Sequence, residues 1–297
     1  MAEPPGGPAA PGVLYVVAST LGNPADLSPR AVQTLGEVDL VFAEDTRTAR
    51  RLLESHGIDR PLRSCFDANE AERARELVDL LRAGQKIALV SEAGTPAVSD
   101  PGFRLVRAAI EAGAQVVPIP GPSALLAALV ASGLPTDRFL FLGFPPRKPG
   151  ARRTFLQRVA RLPATLVLYE SPHRVPETLA DLATVLGPDR AACLARELTK
   201  THEELVRAPL GELAARYATD RPLGEVTLVV AGAPEPDEAA ADHDPELQDR
   251  AARLLAAGYG ARDVATILAA ETTLPRRQMY ALALHVAKEV GEGSESE

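Results

Sequence analysis

The sequence predicts an α/β protein built on a parallel sheet, and two observations carry this prediction. Short apolar runs rich in β-branched residues alternate with amphipathic helical patterns from residue 13 to about residue 230. The runs at 13–18 and 38–43 are apolar at nearly every position, which is typical of strands buried on both faces of a sheet. Strands and helices that alternate at this spacing form right-handed βαβ units.

The first half of the chain is predicted to hold five strands, at residues 13–18, 38–43, 62–66, 86–90 and 115–119. A helical pattern follows each strand. Asp26 or Ser28 before Pro29 can start the first helix, and Asp45 or Thr46 can cap the second. The remaining three helices are predicted at residues 69–82, 103–111 and 124–132.

The second half repeats the pattern after a boundary at residues 133–136, where Gly and Pro interrupt the helical spacing. Strands are predicted at residues 138–144, 164–169, 190–195, 204–207 and 224–230, and helices up to residue 186 and at 210–217. Three further helical patterns, at 245–257, 261–270 and 275–288, follow an acidic stretch, and the last two are joined by a short turn in the manner of a helix-turn-helix.

These patterns divide the chain into six segments. The predicted segments are a disordered N-terminus at 1–12, an N-terminal α/β domain at 13–134, a C-terminal α/β domain at 135–233, an acidic linker at 234–245, a helical module at 246–290 and an acidic tail at 291–297.

Composition excludes several classes of protein. No window approaches the 18 or more apolar residues of a spanning helix, and the N-terminus lacks the features of a signal peptide, so a cytoplasmic protein is expected. Cys65 and Cys193 have neither metal-site nor disulfide spacing and are expected to be reduced core residues. The motifs of ATP hydrolysis, zinc proteolysis and serine esterase chemistry are absent from the sequence, and no metal site is predicted.

The formal net charge of −8 is unevenly distributed along the chain. Residues 234–297 contain 13 acidic and 6 basic residues, a net of −7, so that the rest of the chain is nearly neutral. Within that neutral part, residues 139–161 carry six basic residues and no acid. Such a segment either meets nucleic-acid phosphates or forms a solvated helix face.

The loop at residues 91–102 constrains the function more than any other stretch. It leaves the end of a buried strand, and ligands of open parallel sheets bind beyond the carboxyl ends of the strands. Its small residues allow the backbone to approach a ligand closely, as Gly94 would. Asp100 before Pro101 has two interpretations, because this pair is also a good helix start.

Polar side chains follow several other predicted strands. Glu44 and Arg47 come after the second strand and can face the crevice or pair with each other. Residues 120–123 place the amides at a helix N-terminus where a carboxylate or a ribose oxygen can be held. His173 follows another strand, where it can also simply orient a turn.

Six of these stretches together closely resemble the ribosomal RNA small subunit methyltransferase I family, in order and with family-like spacing. They are residues 19–23, 43–47, 91–102, 118–123, 169–174 and 196–200. The resemblance implies two α/β domains of tetrapyrrole-methylase type, with a parallel N-terminal sheet and a mixed C-terminal sheet, that hold S-adenosyl-L-methionine between them. It also implies a helix-turn-helix appendage and a homodimer.

The activity implied by the resemblance is transfer of a methyl group to the ribose 2′-oxygen of a cytidine in the decoding region of 16S rRNA, on the 30S subunit. In-line methyl transfer depends on alignment in a dry crevice and needs no metal. A carboxylate, or a lysine of lowered pKa, could take the proton of the hydroxyl. The candidates for this catalytic role are Glu44, Asp100, Glu197 and Lys200.

The resemblance also implies a set of binding residues. Contacts with the cofactor are expected at Gly22, Asn23, Glu92, Ala93, Gly94, Thr95, Pro96, Ser99, Gly121, Ser123, Ala124 and Tyr169. Arginine forks phosphate and stacks on splayed bases. Contacts with RNA are expected at Arg47, Arg147, Lys148, Arg152, Arg153 and Arg174, with Lys200 a further candidate.

Two other functions remain open at this point. One is a methyltransferase of the same fold that acts on a corrin or porphyrin precursor, in which the helical module and the basic segment would have no role. The other is a non-catalytic ribosome-assembly factor that binds RNA through the same surfaces, although a pure binding module does not need several glycine-containing crevice loops. Binding of S-adenosylmethionine separates the enzyme classes from the assembly factor.

Overall fold

The computed structural model of the protein describes residues 12–234, 245–272 and 274–293. The predicted N-terminal and linker segments lie outside these residues except at their ends. Of the predicted acidic tail, residues 291–293 continue the last helix, and the rest lies outside the described residues. Residues up to Ala233 form one compact unit and those from Pro234 a second, so each is described by itself.

The first sheet is entirely parallel, and its strand order is β3-β2-β4-β1-β5. Its five strands are β1 Val13–Val17, β2 Leu40–Ala43, β3 Leu62–Ser64, β4 Lys86–Val90 and β5 Gln115–Ile119. Strand β1 lies between β4 and β5 and pairs Val17 with Val90 of β4 and with Ile119 of β5. The carboxyl ends of these three strands therefore meet at one edge of the sheet.

Helices cover both faces of this sheet, as the buried apolar strands require. They are α1 Pro29–Glu37, α2 Thr46–Ser55, α3 Glu70–Arg82 and α4 Phe103–Glu111, and the next helix along the chain is α5 Ala124–Ser132. Leu77 of α3 and Leu105 of α4 pack with Phe42 on one face, while Leu35 of α1 and Leu53 of α2 pack on the other. Burial on both faces explains why the strands are apolar throughout rather than alternating.

The second sheet is mixed, with the order β6-β7-β10-β8-β9, and only the β6–β7 pair is parallel. Its strands are β6 Phe139–Phe141, β7 Thr165–Glu170, β8 Ala191–Arg196, β9 Glu204–Pro209 and β10 Val226–Val230. The predicted strands all form, with ends that differ by a few residues. The parallel and mixed sheets confirm the predicted fold class.

Three helices pack on one face of the second sheet: α6 Pro149–Gln157, α7 Val175–Leu186 and α8 Leu210–Tyr217. The other face is covered by α5, which comes from the first half of the chain. Ala128 and Leu129 of this helix pack against Val167, Cys193 and Val229. The Ala/Leu-rich composition of α5 supplies this apolar contact face, whereas Leu126 and Val130 of the same helix are exposed.

The second unit consists of α9 Pro245–Ala256, α10 Ala261–Glu271 and α11 Arg276–Gly293. It has a hydrophobic core of its own, formed by residues such as Leu254, Leu268, Met279 and Leu282. In both units, no described helix combines the length and the apolar character needed to cross a membrane.

Candidate functional site

A cavity of about 310 Å³ lies beyond the carboxyl ends of the first sheet's strands. Its lining comes from both sheets. The first half of the chain contributes the loop at 91–102, Leu21 and the start of α5, and the second half contributes the end of β7 and the start of β10. This volume falls in the range of pockets that bind small molecules and cofactors.

The loop at 91–102 is held in shape by backbone hydrogen bonds to Ser19 and Thr20. Gly94 has a left-handed φ of +74°. Its amide donates to the carbonyl of Thr20 at 3.1 Å, and its carbonyl accepts from the amide of Ser19 at 2.8 Å. Ala97 and Ser99 also have positive φ values, of 66° and 65°. Non-glycine residues in this conformation store strain, which clusters at binding sites.

Asp100 faces the cavity and does not cap the helix that follows it. Glu70 of α3 takes the capping position, because its Oε1 accepts hydrogen bonds from the amides of Gly102 at 2.9 Å and Arg104 at 3.0 Å. The alternative interpretation of Asp100 as an N-cap is therefore wrong. Glu70 satisfies the helix terminus and leaves the carboxyl group of Asp100 available to a ligand.

The cavity is acidic. Asp100, Glu170 and Glu225 line it, and no Lys, Arg or His is among the described residues of its lining. Burial, followed by the charges of Glu44, Glu92 and Glu225, raises the pKa of Asp100 to about 7. Glu170 is only 2% exposed and is satisfied by Thr178 Oγ1 at 2.6 Å and by the amide of Ser171 at 2.8 Å. A positively charged ligand fits this lining better than an anion does.

Glu197 and Lys200 form an ion pair at the junction of the two sheets. Lys200 Nζ lies 2.9 Å from Glu197 Oε1 and 3.2 Å from Glu225 Oε2. Burial alone would lower the pKa of Lys200, but its bonds to these two carboxylates and their charges raise the pKa instead. The hydrogen bond from Lys200 lowers the pKa of Glu197. The pKa of Lys200 is therefore raised, not lowered as the lysine candidate would require, and Glu197 is the weaker base for its lowered pKa.

Glu44 lies in a separate small cavity of about 70 Å³, together with Thr20, Ser91 and Glu92. Burial, followed by the charges of Glu92, Asp67 and Asp45, raises the pKa of Glu44. Arg47 pairs with Asp45 at 2.9 Å rather than with Glu44. Glu44 is therefore left without the arginine partner that was one predicted alternative, and no described cation offsets the effect of burial and the nearby acids on its pKa.

Tyr169 joins the two halves of the site. Its hydroxyl accepts a hydrogen bond from the amide of Leu125 in the first turn of α5, at 3.2 Å. Its ring packs edge-on against Phe141 at 4.9 Å and tilted against Phe144 at 5.7 Å. One of the helix-terminal amides predicted to hold a ligand is therefore taken by this hydroxyl.

The structure brings together seven of the twelve residues predicted to contact a cofactor. Those that line the cavity are Ala93, Gly94, Thr95, Ser99, Ser123, Ala124 and Tyr169.

The other five predicted residues lie outside the cavity lining, and each has a different environment. Gly22 packs under Lys200, whose Cε would lie 2.7 Å from a Cβ at that position. Asn23 accepts from the amide of Ala25 and caps a short 3-10 turn. Glu92 lines the smaller cavity, Pro96 is buried, and Gly121 packs on Ala18.

Sequence reasoning missed the start of β10, where Gly224, Glu225 and Thr227 line the cavity. The sequence-based predictions placed site residues only after the carboxyl ends of strands. Because β10 runs antiparallel to β7 and β8, its start lies at the edge where those two strands end. A Gly-Glu pair directly before a buried strand in a mixed sheet is the signal that could have found it.

Two of the arginines predicted to meet RNA are structural. Arg152 is 1% exposed, and its Nε lies 2.7 Å from Asp181 Oδ2 on α7. Arg174 donates to the carbonyls of Pro145 at 2.8 Å and Pro146 at 3.1 Å and pairs with Glu170. Both predictions are corrected, because a guanidinium group that joins protein elements in this way is unavailable to a phosphate.

Four other predicted RNA contacts are solvent-exposed, whereas the further candidate Lys200 is half-buried and paired with Glu197 and Glu225. Arg147 and Lys148 lie just before α6, and Arg153 is exposed while it pairs with Asp181 at 3.1 Å. The side chain of Arg47 is 86% exposed. These positions are accessible to a large ligand. No group of three or more His, Cys, Asp or Glu side chains suited to a metal ion occurs within the described ranges.

A cavity between a parallel and a mixed α/β sheet, at the carboxyl ends of the parallel strands, defines a class of protein. Residues 13–214 match the model of the tetrapyrrole (corrin/porphyrin) methylases. Uroporphyrin-III C-methyltransferase from Thermus thermophilus, solved in complex with S-adenosyl homocysteine, is similar in fold, with a TM-score of 0.52, 24% identity, and coverage of 73% of this chain and 97% of that one.

Similarity to individual proteins identifies the family within this class to which the chain belongs. The ribosomal RNA small subunit methyltransferase I of Synechocystis sp. is 48% identical over 93% of this chain and 98% of its own length. The protein of the same name from Pseudomonas aeruginosa is 46% identical over 92% and 97%. The chain belongs to the ribosomal RNA small subunit methyltransferase I family. This membership confirms the predicted family and the predicted enzyme class, a methyltransferase.

Proposed function

We propose that this protein transfers a methyl group from S-adenosyl-L-methionine to the ribose 2′-oxygen of a cytidine in the decoding region of 16S rRNA. The proposed substrate is the assembled 30S subunit, and the proposed active form is a cytoplasmic homodimer. The observation that carries the proposal is the acidic cavity at the carboxyl ends of β1, β4 and β5. The names of the close relatives support rRNA of the small subunit as the acceptor.

The charge of the cavity fits this cofactor. S-adenosylmethionine carries positive charges on its sulfur and its amino group. Asp100, when ionised, supplies negative charge at the wall, next to Glu225, whose carboxylate also pairs with Lys200. A nucleotide cofactor with phosphates would instead need cationic side chains or free helix-terminal amides. The described lining contains no cationic side chain, and Tyr169 already occupies an amide of α5.

When bound, the cofactor supplies an activated methyl group on a positively charged sulfur. The residues of the chain would orient it and exclude water. Gly94 and Thr95 leave space for close approach of the backbone, and the Thr95 hydroxyl is oriented by its bond to the carbonyl of Pro122 at 3.1 Å. A rigid, preshaped loop is what alignment for in-line transfer requires.

Asp100 and Glu44 remain the candidates for the proton acceptor. Both have a raised pKa, and a general base is most effective when its pKa lies near the working pH. Asp100 also faces the cofactor's charge, so its replacement should affect cofactor binding. Replacement of Glu44, which lies in the neighbouring cavity, should affect turnover and leave cofactor binding unchanged. Calorimetry with the cofactor and single-turnover transfer for Asp100→Asn and Glu44→Gln separate the two roles.

In the unit that ends at Ala233, the accessible basic residues are the proposed RNA contacts. Arg47, Arg147, Lys148 and Arg153 are exposed. Guanidinium and ammonium groups at such positions bind phosphate in a salt-dependent way. Arg152 and Arg174 are no longer included, since both are held by protein groups.

The test is methyl transfer from labelled S-adenosylmethionine to undermethylated 30S subunits, with free 16S rRNA in parallel and ribose 2′-O-methylation mapped afterwards. Label at one decoding-region cytidine of the 30S subunit is the expected result. Transfer to free rRNA alone would contradict the proposed substrate. Cofactor binding without transfer to either would contradict the acceptor and favour a small-molecule substrate, and absence of cofactor binding would favour a non-catalytic factor.

A further inference from the structure

The helical unit carries an open concavity of about 500 Å³ that is separate from the cavity described above. It is lined by Arg262 of α10 and by Arg276, Arg277 and Tyr280 of α11. Every described lining residue thus carries a cation or an aromatic ring. This composition is unusual in a segment whose overall charge is acidic.

The spacing of these residues places them on facing sides of two packed helices. Arg276 and Tyr280 are four residues apart and lie on one side of α11, and Arg277 is their neighbour. On α10, Arg262 precedes Thr266 by one turn. Arg276 Nε donates to Thr266 Oγ1 at 3.0 Å, and this hydroxyl donates to the carbonyl of Arg262 at 2.9 Å. The two helices therefore share a polar contact at the concavity.

The three guanidinium groups have no acidic partner in the part of the chain that the structure describes. Among the described residues, Arg262, Arg276 and Arg277 form no ion pair, whereas Arg250 pairs with Glu271 at 2.8 Å and Arg253 pairs with Asp249. Asp263 lies beside Arg262 in sequence, but its carboxylate lies close to Gly260 at the start of α10. Among the described residues, Glu271 and Asp249 are thus paired outside the concavity, and no described acidic group offsets its positive charge through an ion pair.

We propose that this concavity binds a single-stranded segment of rRNA, with phosphates at Arg262 and Arg277 and a base stacked on the ring of Tyr280. This inference rests on the proposed function, since it takes rRNA as the ligand. Arginine recognises phosphate by paired N–H bonds, and splayed bases of single-stranded RNA stack on aromatic rings. Arg262, Arg277 and Tyr280 are all exposed, as contact with a large ligand requires.

The test compares a double variant, Arg262→Gln with Arg277→Gln, with a control, Arg253→Gln. All three positions are exposed arginines of the helical unit, but the control residue pairs with Asp249 and lies outside the concavity. Arg276 is left in place because it joins the two helices. Unchanged circular dichroism and melting temperature establish that each full-length variant is folded.

Binding is measured with an unstructured oligoribonucleotide and with undermethylated 30S subunits, over a range of salt concentrations. For the oligoribonucleotide, loss of two phosphate contacts is expected to make the slope of log K against log salt shallower by about 1.4. The control should keep the parental slope. Tyr280→Ala should weaken binding at every salt concentration without changing the slope, and Tyr280→Phe should retain binding because it keeps the ring.

Cofactor binding and methyl transfer at saturating 30S subunits separate this inference from the proposed function. For the double variant, an increased KM for 30S subunits with unchanged kcat and cofactor affinity is expected. If the double variant keeps the parental salt slope and the parental KM for 30S subunits, the inference is overturned, even if methyl transfer proceeds normally. Normal binding to the oligoribonucleotide with weakened binding to 30S subunits would also overturn it, and would assign the surface to a ribosomal protein. Site-dependent RNA binding without any methyl transfer would contradict the proposed function alone.

Discussion

At the scale of single residues, the role of Asp100 depends on another residue 30 positions away. Glu70 caps α4 through the amides of Gly102 and Arg104, so the carboxyl group of Asp100 is free to line the cavity. Burial and the nearby acidic charges raise the pKa of Asp100 to about 7. A cationic ligand would favour the ionised form and reverse this shift.

Replacement of Asp100 is expected to weaken cofactor binding in a pH-dependent way. Asp100→Asn removes a charge-assisted contact of about 1.5–3 kcal/mol, which corresponds to a roughly ten- to hundredfold higher Kd. In the parent, binding should tighten as the pH rises through about 7, the pKa of Asp100. Calorimetry between pH 6 and 8 measures both effects. Asp189→Asn, an exposed carboxylate outside the cavity lining, is the control.

The raised pKa of Asp100 also makes folding stability depend on pH. Cofactor binding should strengthen as the pH rises, whereas the free energy of unfolding should fall. An unfolded Asp titrates near pH 3.9, roughly three units below the folded Asp100, so the folded state binds the proton more tightly. The free energy of unfolding should therefore fall as the pH rises from about 4 to about 7. Asp100→Asn is expected to melt at a higher temperature than the parent at pH 8 and at nearly the same temperature near pH 3.5. An equal difference at both pH values would contradict this assignment.

Gly94 has a conformational and a steric requirement at once. Its φ is +74°, and a Cβ would lie 3.1 Å from Leu21 Cδ2 and 3.5 Å from the carbonyl of Pro122. Gly94→Val is expected to abolish cofactor binding in calorimetry. Gly113→Val is the matched control, since its φ is also +74° and no atom lies within 4 Å of its Cβ position. Equal loss of cofactor binding in both variants would indicate backbone strain alone.

At the scale of elements, the basic segment before and within α6 has two kinds of cation. Arg147 and Lys148 are exposed just before the helix, whereas Arg152 on its buried side joins α6 to α7 through Asp181. The side chains of Arg152 and Asp181 are only 2% and 13% exposed. One charged segment therefore supplies a structural ion pair as well as solvent-accessible charges.

Loss of this ion pair is expected to destabilise the fold without a direct effect on RNA binding. Arg152→Met would leave Asp181 buried and only partly compensated by Arg153, at a cost of about 3–5 kcal/mol. Denaturant unfolding measures that cost. The salt dependence of RNA binding by the folded variant should match the parent, whereas Arg147→Ala with Lys148→Ala should make the slope shallower at unchanged stability. A shallower slope for Arg152→Met would contradict its structural role.

At the scale of the whole molecule, the chain forms two compact units with separate cores. The first unit contains both sheets, and α5 packs on the second sheet although it belongs to the first half of the sequence. The second unit packs α9, α10 and α11 around its own apolar residues. Among the described residues, the cavity at the carboxyl ends of the parallel strands is lined by residues of the first unit alone.

Truncation after Ala233 is therefore expected to leave cofactor binding intact. The shortened chain keeps every residue of the cavity lining and of the cores around it. It loses the concavity at Arg262, so its KM for 30S subunits should rise while the cofactor Kd stays unchanged. Calorimetry and steady-state methyl transfer give the two values. A changed cofactor Kd would show that the helical unit supports the cavity.

The sequence by itself determined the order of elements, because apolar runs and helical periodicity are local properties. It also indicated the loop at 91–102, since small residues after a buried strand are visible without a fold. Only the tertiary structure decided which charges are free. Glu70 caps a helix distant in sequence, Arg152 turns inward to Asp181, and Glu197 with Glu225 raises the pKa of Lys200. Glu70, Asp181 and Glu225 are distant in the chain from the groups they contact, although Glu197 is only three residues from Lys200, and local sequence patterns do not encode which distant side chains meet.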